Sequence, residues 1–419
     1  MEKEVNKPPS LWGSCRLTLA FLSFFGTVLM MFLRFNFSMA IVCMTEKDGG
    51  EFNWEKSTQG YLLSTFFYGY ICTQIIGGLI SDRFGGKISL LTGMMVMSSS
   101  SLLMPTMARV DVNLVMALRV LQGLVSGVAF PSLYNLFSVW SGLEERATLM
   151  SVVLSGISFA NVINLPVSAG LCATGIDGGW PMVFYVPGAV GLIWCVAFHL
   201  TCFSSPSHHP RISDTEKNYL IASCQEKGRD RRSLTAPILS MMKSVPVHAL
   251  WITHMCHAWG YYLVAVNLTL YGRDVLQLDV VTNGVLSCLP YVGMFAMTST
   301  AKVFDHLRKK EFLQLTSLRK IFTTLGMLIP ALCMTSLNFL PDKDVTGNII
   351  LLTLGMSGHH FAATGGYYLS HSDVAGPFSG TLFGITNTMA QIPGFANALI
   401  VAHLTPNVTF NLKFLKSSF

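Results

Sequence analysis

Charged residues are scarce in this 419-residue sequence, in which Asp, Glu, Lys and Arg together make up 12% of the chain. A soluble globular domain carries roughly 25%. Apolar residues make up 51%, and the mean hydropathy is +0.50. This composition excludes a disordered or nucleic-acid-binding tail protein, and it argues against a cytosolic enzyme. We therefore expect a protein whose main solvent is the lipid bilayer, with no nucleic acid among its partners.

Metal-binding patterns are also missing. The ten cysteines are scattered, none forms a CxxC pair, and no group of Cys and His has the spacing of a zinc site. We interpret the cysteines as small buried hydrophobic residues. We expect no metal and no bound cofactor.

Long apolar runs account for most of the chain. A membrane helix needs about 20 predominantly apolar residues to cross a hydrocarbon core of about 30 Å, and the sequence contains eleven such runs. We predict an all-α, polytopic membrane protein. The predicted transmembrane helices lie near residues 17–44, 58–80, 88–107, 112–140, 147–172, 181–203, 246–271, 283–304, 320–340, 347–369 and 379–403.

One polar segment, residues 204–245, separates six predicted helices from five. Such a central loop is typical of transporters built from two related helix bundles. We predict an N-terminal six-helix bundle at 1–203, a cytoplasmic central loop at 204–245 and a C-terminal bundle of five helices at 246–419. Because six plus five is an unusual arrangement, we expect that a twelfth helix is missing.

Lys and Arg are distributed unevenly among the connections. If the N-terminus is cytoplasmic, the inner segments carry 19 of these residues and the outer segments carry five. This bias follows the positive-inside rule and predicts a cytoplasmic N-terminus. The C-terminal tail then lies outside the cytoplasm, where Asn407 is a candidate glycosylation site in the sequon Asn407-Val408-Thr409.

A charged, glycine-rich motif lies between the second and third predicted helices. Its key residues are Gly78, Asp82, Arg83, Gly85 and Lys87. Glycine permits close helix packing and a tight turn, while Asp82 can accept at a helix N-terminus or pair with Arg83 or Lys87. We predict a conformational latch, with an ordinary positively charged turn as the alternative. A weaker copy of the motif follows the eighth helix.

Two arginines lie within predicted spans, Arg34 in the first and Arg119 in the fourth. A charged side chain at the centre of a span costs about 2.5–3.5 kcal/mol on insertion scales, so each arginine is a functional candidate. The guanidinium fork matches carboxylate or phosphate, and two such cations suit an anionic substrate. The alternative, stronger for Arg119 than for Arg34, is that the side chain extends to the membrane interface.

No Asp or Glu occurs in the middle of a predicted span. Proton-coupled transport usually needs an intramembrane carboxylate or histidine that changes charge. The candidate coupling residues are therefore His254, His257 and His359, for which a simple packing role is the alternative. The lack of carboxylates favours transport driven by the membrane potential or by a co-transported sodium ion over transport coupled to protons.

Several stretches of the chain resemble those of a known transporter family, and they occur in order from about residue 17 to 407. They include Leu33–Ser38, Phe66–Ile75, Arg119–Gly123, Gly179–Tyr185, Asn283–Tyr291 and Gly384–Thr388. On these stretches the chain resembles the anion transporters of the major facilitator superfamily that include sialin, the vesicular glutamate transporters and the type I sodium–phosphate cotransporters.

The resemblance implies the major facilitator fold and secondary active transport of a small organic anion or inorganic phosphate by alternating access. In that family, the arginines that match Arg34 and Arg119 are implicated in handling the anion. We add three polar residues to the candidate substrate-binding set: Asn36, Tyr68 and Asn387. The resemblance places a multi-pass protein, expected to be a monomer, in the plasma membrane or an intracellular vesicle membrane.

Departures from the family pattern bear on whether anion transport is coupled to protons. Ser126 and Gln122 stand where proton-coupled members carry acids, which weighs against proton-coupled export of sialic acid. Two alternatives stay open: a proton-coupled vesicular or lysosomal carrier of sialic acid or acidic amino acids, and a truncated family member that does not transport.

An enzyme is the remaining alternative. Gly355-Met-Ser357-Gly358 followed by His359 resembles the motif of intramembrane serine proteases. Neighbouring positions on a helix diverge, so His359 is badly placed to act as a base for Ser357. We therefore predict that the chain is not an enzyme.

Overall fold

The computed structural model describes residues 9–45, 50–141, 146–221, 238–297, 300–310, 313–341, 344–375 and 379–404. Within these residues the regular structure is helical, which confirms the all-α class. The helices are α1 (Cys15–Met44), α2 (Lys56–Phe84), α3 (Gly86–Val110), α4 (Val112–Trp140), α5 (Arg146–Ala173), α6 (Met182–Thr201), α7 (Ile238–Met242), α8 (Val245–Asp274), α9 (Val280–Ala296), α10 (Thr300–Lys309), α11 (Leu315–Ser336), α12 (Val345–Thr364), α13 (Tyr367–Ala375), α14 (Ser379–Ala390) and α15 (Ile392–Leu404).

Every predicted span coincides with helical residues, but the last spans are interrupted. The predicted span 347–369 divides between α12 and α13 at Gly365 and Gly366, and the span 379–403 divides between α14 and α15 next to Pro393. Glycine is a poor helix former and proline lacks a backbone N–H, so both favour a break at these points. The predicted span 283–304 is likewise divided between α9 and α10.

Within the described residues, six helices are long and apolar enough to cross a membrane. They are Cys15–Met44, Gly86–Val110, Val112–Phe137, Val152–Ala173, Met182–Thr201 and Leu315–Phe339.

Contacts divide the chain into two compact units. The first comprises Met1–Arg34, Gly69–Ala160 and Phe184–Thr235, and the second comprises Phe35–Tyr68, Asn161–Val183 and Ala236–Phe419. The predicted bundles at 1–203 and 246–419, with a loop at 204–245, were defined by hydropathy along the sequence and not by contacts. They therefore stay a prediction.

In the first unit, Glu216 fixes the N-terminus of α1. Its carboxylate accepts hydrogen bonds from the backbone N–H groups of Cys15, at 3.2 Å, and Arg16, at 3.1 Å. It also pairs with the Arg16 guanidinium at 3.1 Å, where the two side chains are 0% and 4% exposed. The Arg16 guanidinium lies 5.3 Å from the centre of the Tyr219 ring. A carboxylate at a helix N-terminus is favoured by the helix dipole. Glu216 therefore stabilises α1 both through the helix N-terminus and through its ion pair with Arg16.

In the second unit, a disulfide bond joins Cys43 near the end of α1 to Cys172 near the end of α5. The interpretation of all cysteines as small hydrophobic residues is therefore wrong for this pair. The two residues are 129 positions apart and meet only in the folded chain, so their spacing gave no sign of the bond. Close by, the Trp180 indole donates to the Glu51 carboxylate at 2.9 Å.

Removal of the Glu216 carboxylate is expected to destabilise the protein strongly, because it leaves the Arg16 charge buried without its partner. We expect Glu216→Ala to lower the free energy of unfolding by about 3–5 kcal/mol. The measurement is the thermal unfolding midpoint in detergent. Asp214→Ala is the matched control, since Asp214 is an exposed acid on the same segment. Equal midpoints for the two variants would contradict this account of Glu216.

The disulfide determines how many cysteine thiols can react with maleimide. Cys43→Ala should release the Cys172 thiol and so raise the number of thiols that react with maleimide in denatured, non-reduced protein by one. Cys256→Ala, which removes a free cysteine, should lower that number by one. We also expect Cys43→Ala to lose roughly 2–5 kcal/mol of stability. A decrease by one for both variants would show that the bond does not form.

Candidate functional site

Arg34 and Arg119, the two arginines predicted from the sequence, lie together in the first unit. Arg119 Nη2 donates to the backbone carbonyl of Arg34 at 3.4 Å, and Arg119 Nη1 donates to Gln122 Oε1 at 3.2 Å. The Arg34 guanidinium lies over the ring of Tyr70, 4.5 Å from its centre. The two arginines are 6% and 3% exposed. They form a buried cationic pair, and these neutral partners orient the guanidinium groups without cancelling their charge.

Helix geometry explains why the residues around Arg119 share one surface. Gln122 and Ser126 follow Arg119 by three and seven positions, so all three side chains lie on the same face of α4. Each is buried. The Ser126 hydroxyl has no hydrogen-bond partner among the described residues. Burial of Arg119 within protein argues against the alternative that it extends to the membrane interface.

Close packing of α2 against α4 places Tyr70 beside this pair. A Cβ atom at Gly69 would clash with the backbone carbonyl of Val120, and one at Gly77 would lie 2.9 Å from the backbone of Gly127 and Val128. Glycine is therefore required at these two positions of α2 for the helices to approach. Tyr70 follows Gly69 directly, so this contact sets the height of its ring along α2.

The other candidate substrate-binding residues lie in the second unit. Asn36 Nδ2 donates to the carbonyl of Val183 at 2.8 Å, which ties α1 to the first turn of α6. Tyr68 is partly exposed, and its ring packs edge-on against Phe395 at 5.4 Å. Asn387 Oδ1 accepts from Gln391 Nε2 at 3.2 Å. The roles of Asn36, Tyr68 and Asn387 in binding a substrate stay predictions.

The latch motif forms the turn between α2 and α3. Gly85 has φ +84°, in the region that favours glycine. Lys87 donates to the carbonyl of His199 at 3.1 Å, and Arg83 is exposed beside the Phe84 ring. Gly78 lies within α2, and the Asp82 side chain is outside the described part of the structure, so an ion pair of Asp82 with Arg83 or Lys87 stays a prediction. Asn407 also lies outside the described residues.

The histidines of the second unit lie among aromatic side chains of α8, α12, α13 and α14. His257 Nε2 contacts the backbone carbonyl of His359 at 3.1 Å, and His257 Nδ1 contacts the Tyr367 hydroxyl at 3.3 Å. The rings of His257 and His359 meet edge to face, with 4.8 Å between their centres. The ring nitrogens of His359 have no hydrogen-bond partner within the described residues.

A second group of histidines meets at a threonine. His254 Nδ1 lies 3.0 Å from Thr386 Oγ1, and His371 Nε2 lies 2.9 Å from the same atom. Sequence analysis identified His254 as a coupling candidate and pointed to His371 as a further histidine of the region, but it gave no role to Thr386. A threonine in an apolar helix carries no signal of its own, and only folding brings α13 and α14 to α8.

Two further sequence hypotheses concern the protease-like motif at Ser357 and the absence of a metal site. Ser357, of the protease-like motif, donates its hydroxyl hydrogen to the carbonyl of Thr353 at 2.6 Å. As for metals, the part of the chain that the structure describes contains no group of three or more His, Cys, Asp or Glu that could hold an ion.

Comparison with known proteins identifies the class. Residues 23–398 match the Major Facilitator Superfamily. The inward-open conformation of the xylose transporter XylE from E. coli has a TM-score of 0.71 to this chain, covering 96% of it and 93% of XylE, and at 14% identity it shows the fold alone.

Closer relatives identify the family within that class. Sialin from Ovis aries is 33% identical over 96% of this chain and 86% of its own length. Vesicular glutamate transporter 3 from Danio rerio is 31% identical over 96% of this chain and 71% of its own length. A protein named for inorganic phosphate cotransport, from Drosophila ananassae, is 34% identical over 86% of this chain and 74% of its own length. The chain therefore belongs to the major facilitator superfamily, in the family of anion transporters that contains sialin and the vesicular glutamate transporters, as its resemblance predicted.

Proposed function

We propose that this protein is a secondary active transporter that carries a small anion across a membrane by alternating access. The observation that carries the proposal is the buried cationic pair, Arg34 and Arg119. A fixed positive charge in a low-dielectric helix bundle attracts an anion far more strongly than it would in water. Glutamate and inorganic phosphate, for which two of the relatives are named, are both small anions with the oxygen geometry that a guanidinium fork binds.

The substrate site is proposed to centre on this pair. Arg119 is held by Gln122 and by the Arg34 carbonyl, and Arg34 lies against the Tyr70 ring. An oriented guanidinium loses little freedom when an anion binds, which favours affinity. Tyr68 and Asn387 are proposed separately, as substrate-binding residues of the second unit. The use of the Asn36 amide by Val183 favours a supporting role for Asn36 within the same set.

The proposed driving force is the membrane potential or a sodium gradient. Ser126 and Gln122 replace acids of the proton-coupled relatives, and two cations without such acids favour net movement of negative charge. For sodium, a small cavity in the second unit offers neutral oxygen atoms of the kind that hard cations bind. Its polar lining residues are Ser38, Asn161, Asn164, Tyr261 and Tyr291. A proton-coupled carrier is the second candidate, and the histidines that meet at Thr386 favour it.

The protein is an integral, multi-pass membrane protein, for which we propose a cytoplasmic N-terminus. The excess of Lys and Arg in the predicted inner segments supports this orientation. The disulfide supports it independently, because Cys43 and Cys172 lie near the predicted outer ends of α1 and α5, and disulfides form in oxidising compartments. The plasma membrane and the membrane of an intracellular vesicle both fit.

Replacement of either arginine is expected to abolish uptake. In proteoliposomes supplied with labelled phosphate, glutamate or sialic acid, Arg34→Ala and Arg119→Ala should each transport no more than empty vesicles. Arg119→Lys should keep partial uptake with a raised KM, because lysine retains the charge but not the fork that contacts Gln122 and Arg34. Arg109→Ala, at an exposed helix end, is the control that should transport normally. Uptake by both alanine variants at the wild-type rate would refute the role of the pair.

The driving force has its own test. An inside-positive potential imposed on vesicles, with equal pH on the two sides, should drive accumulation of the anion. A sodium gradient imposed without a potential tests the sodium version. A pH gradient alone should drive little accumulation. Strict dependence on the pH gradient, with no response to the potential or to sodium, would contradict the proposed driving force.

A further inference from the structure

Three side chains in the second unit share one hydroxyl group. They are His254 on α8, Thr386 on α14 and His371 on α13, which we name the histidine–threonine triad. Thr386 Oγ1 lies 3.0 Å from His254 Nδ1 and 2.9 Å from His371 Nε2. It also lies 3.1 Å from the carbonyl of Phe383. The three side chains are 2%, 0% and 2% exposed, so the hydrogen bonds within the triad are shielded from water.

The geometry determines where the hydrogens lie when the triad is neutral. His371 Nδ1 is 3.0 Å from the backbone carbonyl of Tyr368, and a carbonyl only accepts, so Nδ1 carries the hydrogen. His371 Nε2 is then an acceptor, and it takes the single hydrogen of the Thr386 hydroxyl. Thr386 Oγ1 in turn accepts from His254 Nδ1. The result is one directed chain, from His254 through Thr386 and His371 to the Tyr368 carbonyl.

The same geometry accommodates one additional proton without loss of a hydrogen bond. A proton added to His371 Nε2 turns that nitrogen into a donor to Thr386 Oγ1. The Thr386 hydroxyl then rotates and donates to the carbonyl of Phe383 instead. One N–H bond forms as an O–H bond of hydronium breaks and releases water, and Oγ1 then accepts from both histidines with its two lone pairs. Buried polar groups are costly when they lack partners, so a site that stays satisfied in both forms is suited to exchange a proton.

A second proton has no comparable place. The rings of His254 and His371 are 5.9 Å apart between centres, and two imidazolium ions at this distance repel each other. The nearest titratable neighbours are Tyr367 and Tyr368, whose rings lie 5.4 Å and 5.3 Å from that of His254. The other titratable or charged side chains on the elements around the triad are His248, Cys256, His257, Tyr261, Tyr262, Tyr271, Arg273, Asp274, Arg319, Lys320, Cys333, His359, His360, Asp373 and His403. Of these, Asp373 pairs with Arg319 at 2.9 Å.

We propose that the histidine–threonine triad is a binding site for one proton, and that its occupation favours binding of the transported anion. Such coupling is reciprocal: the bound proton raises the affinity for the anion, and the anion raises the affinity for the proton. The second part of this proposal rests on the proposed function. The triad would make anion binding depend on pH although the predicted spans lack carboxylates at their centres, while the membrane potential or sodium stays the proposed driving force.

The proton site itself is tested by ¹⁵N NMR of the full chain labelled at histidine, in detergent. The neutral His371 ring should carry its hydrogen on Nδ1, and acidification should produce a single imidazolium in the triad. His371→Gln assigns the signals. Thr386→Val should lower the pH of half-protonation by about one unit, because the imidazolium loses its acceptor. Thr388→Val, on the same helix, should leave it unchanged. A hydrogen on His371 Nε2 in the neutral form, or no effect of Thr386→Val, would overturn the proposal.

The link to the anion is tested by uptake of labelled sialic acid and glutamate at equal pH on both sides of the vesicle. Their carboxylates stay ionised between about pH 5.5 and 8, so a change in rate reports the protein. Uptake by the wild type should rise as the pH falls, Thr386→Val should need a lower pH, and His371→Gln should lose the rise. A pH profile that neither variant alters would refute the link. Absence of wild-type uptake at every pH and potential would instead refute the proposed function, while the NMR titration would still decide on the proton site.

Discussion

A charged or polar group buried in this helix bundle must find its partners within the protein, and the main features of the structure follow from that constraint. Arg16 is matched by Glu216 at the start of α1, where the helix dipole adds to the ion pair. Arg119 is held by the Gln122 amide and the Arg34 carbonyl. The first arrangement neutralises a charge and stabilises a helix end. The second brings two cations together and orients one of them with a neutral amide and a carbonyl, which makes this pair the candidate binding site.

Glycines and helix breaks position the arginine and histidine groups. Glycines at 69 and 77 let α2 approach α4, which places Tyr70 beside Arg34. In the second unit, breaks in the predicted spans have a comparable effect. The chain turns after Gly365 and again before Pro393, and the short helices α13 and α14 carry His371 and Thr386 to α8. A continuous helix in place of α12 and α13 would not present Tyr367 and His371 in the same way.

The sequence predicts the features that depend on local composition and fails for those that need distant partners. Hydropathy locates the spans because a membrane helix must be apolar over its whole length, and a charge within such a run makes Arg34 and Arg119 conspicuous. The window that locates a span averages over its residues, so the breaks in the last spans were missed. The Cys43–Cys172 bond joins residues 129 positions apart, and Thr386 gains its importance only from two histidines on other helices. The interpretation of the cysteines was wrong for the same reason.

Current recorded from proteoliposomes on a solid-supported membrane tests the central claim, that Arg34 and Arg119 move an anion, most directly. A rapid concentration jump of glutamate or phosphate should produce a transient current with the sign of negative charge entering the vesicles. The same jump should give no current with Arg119→Ala protein reconstituted at the same density. A current of the opposite sign in sodium-free solution, or one of equal size in the variant, would contradict the account.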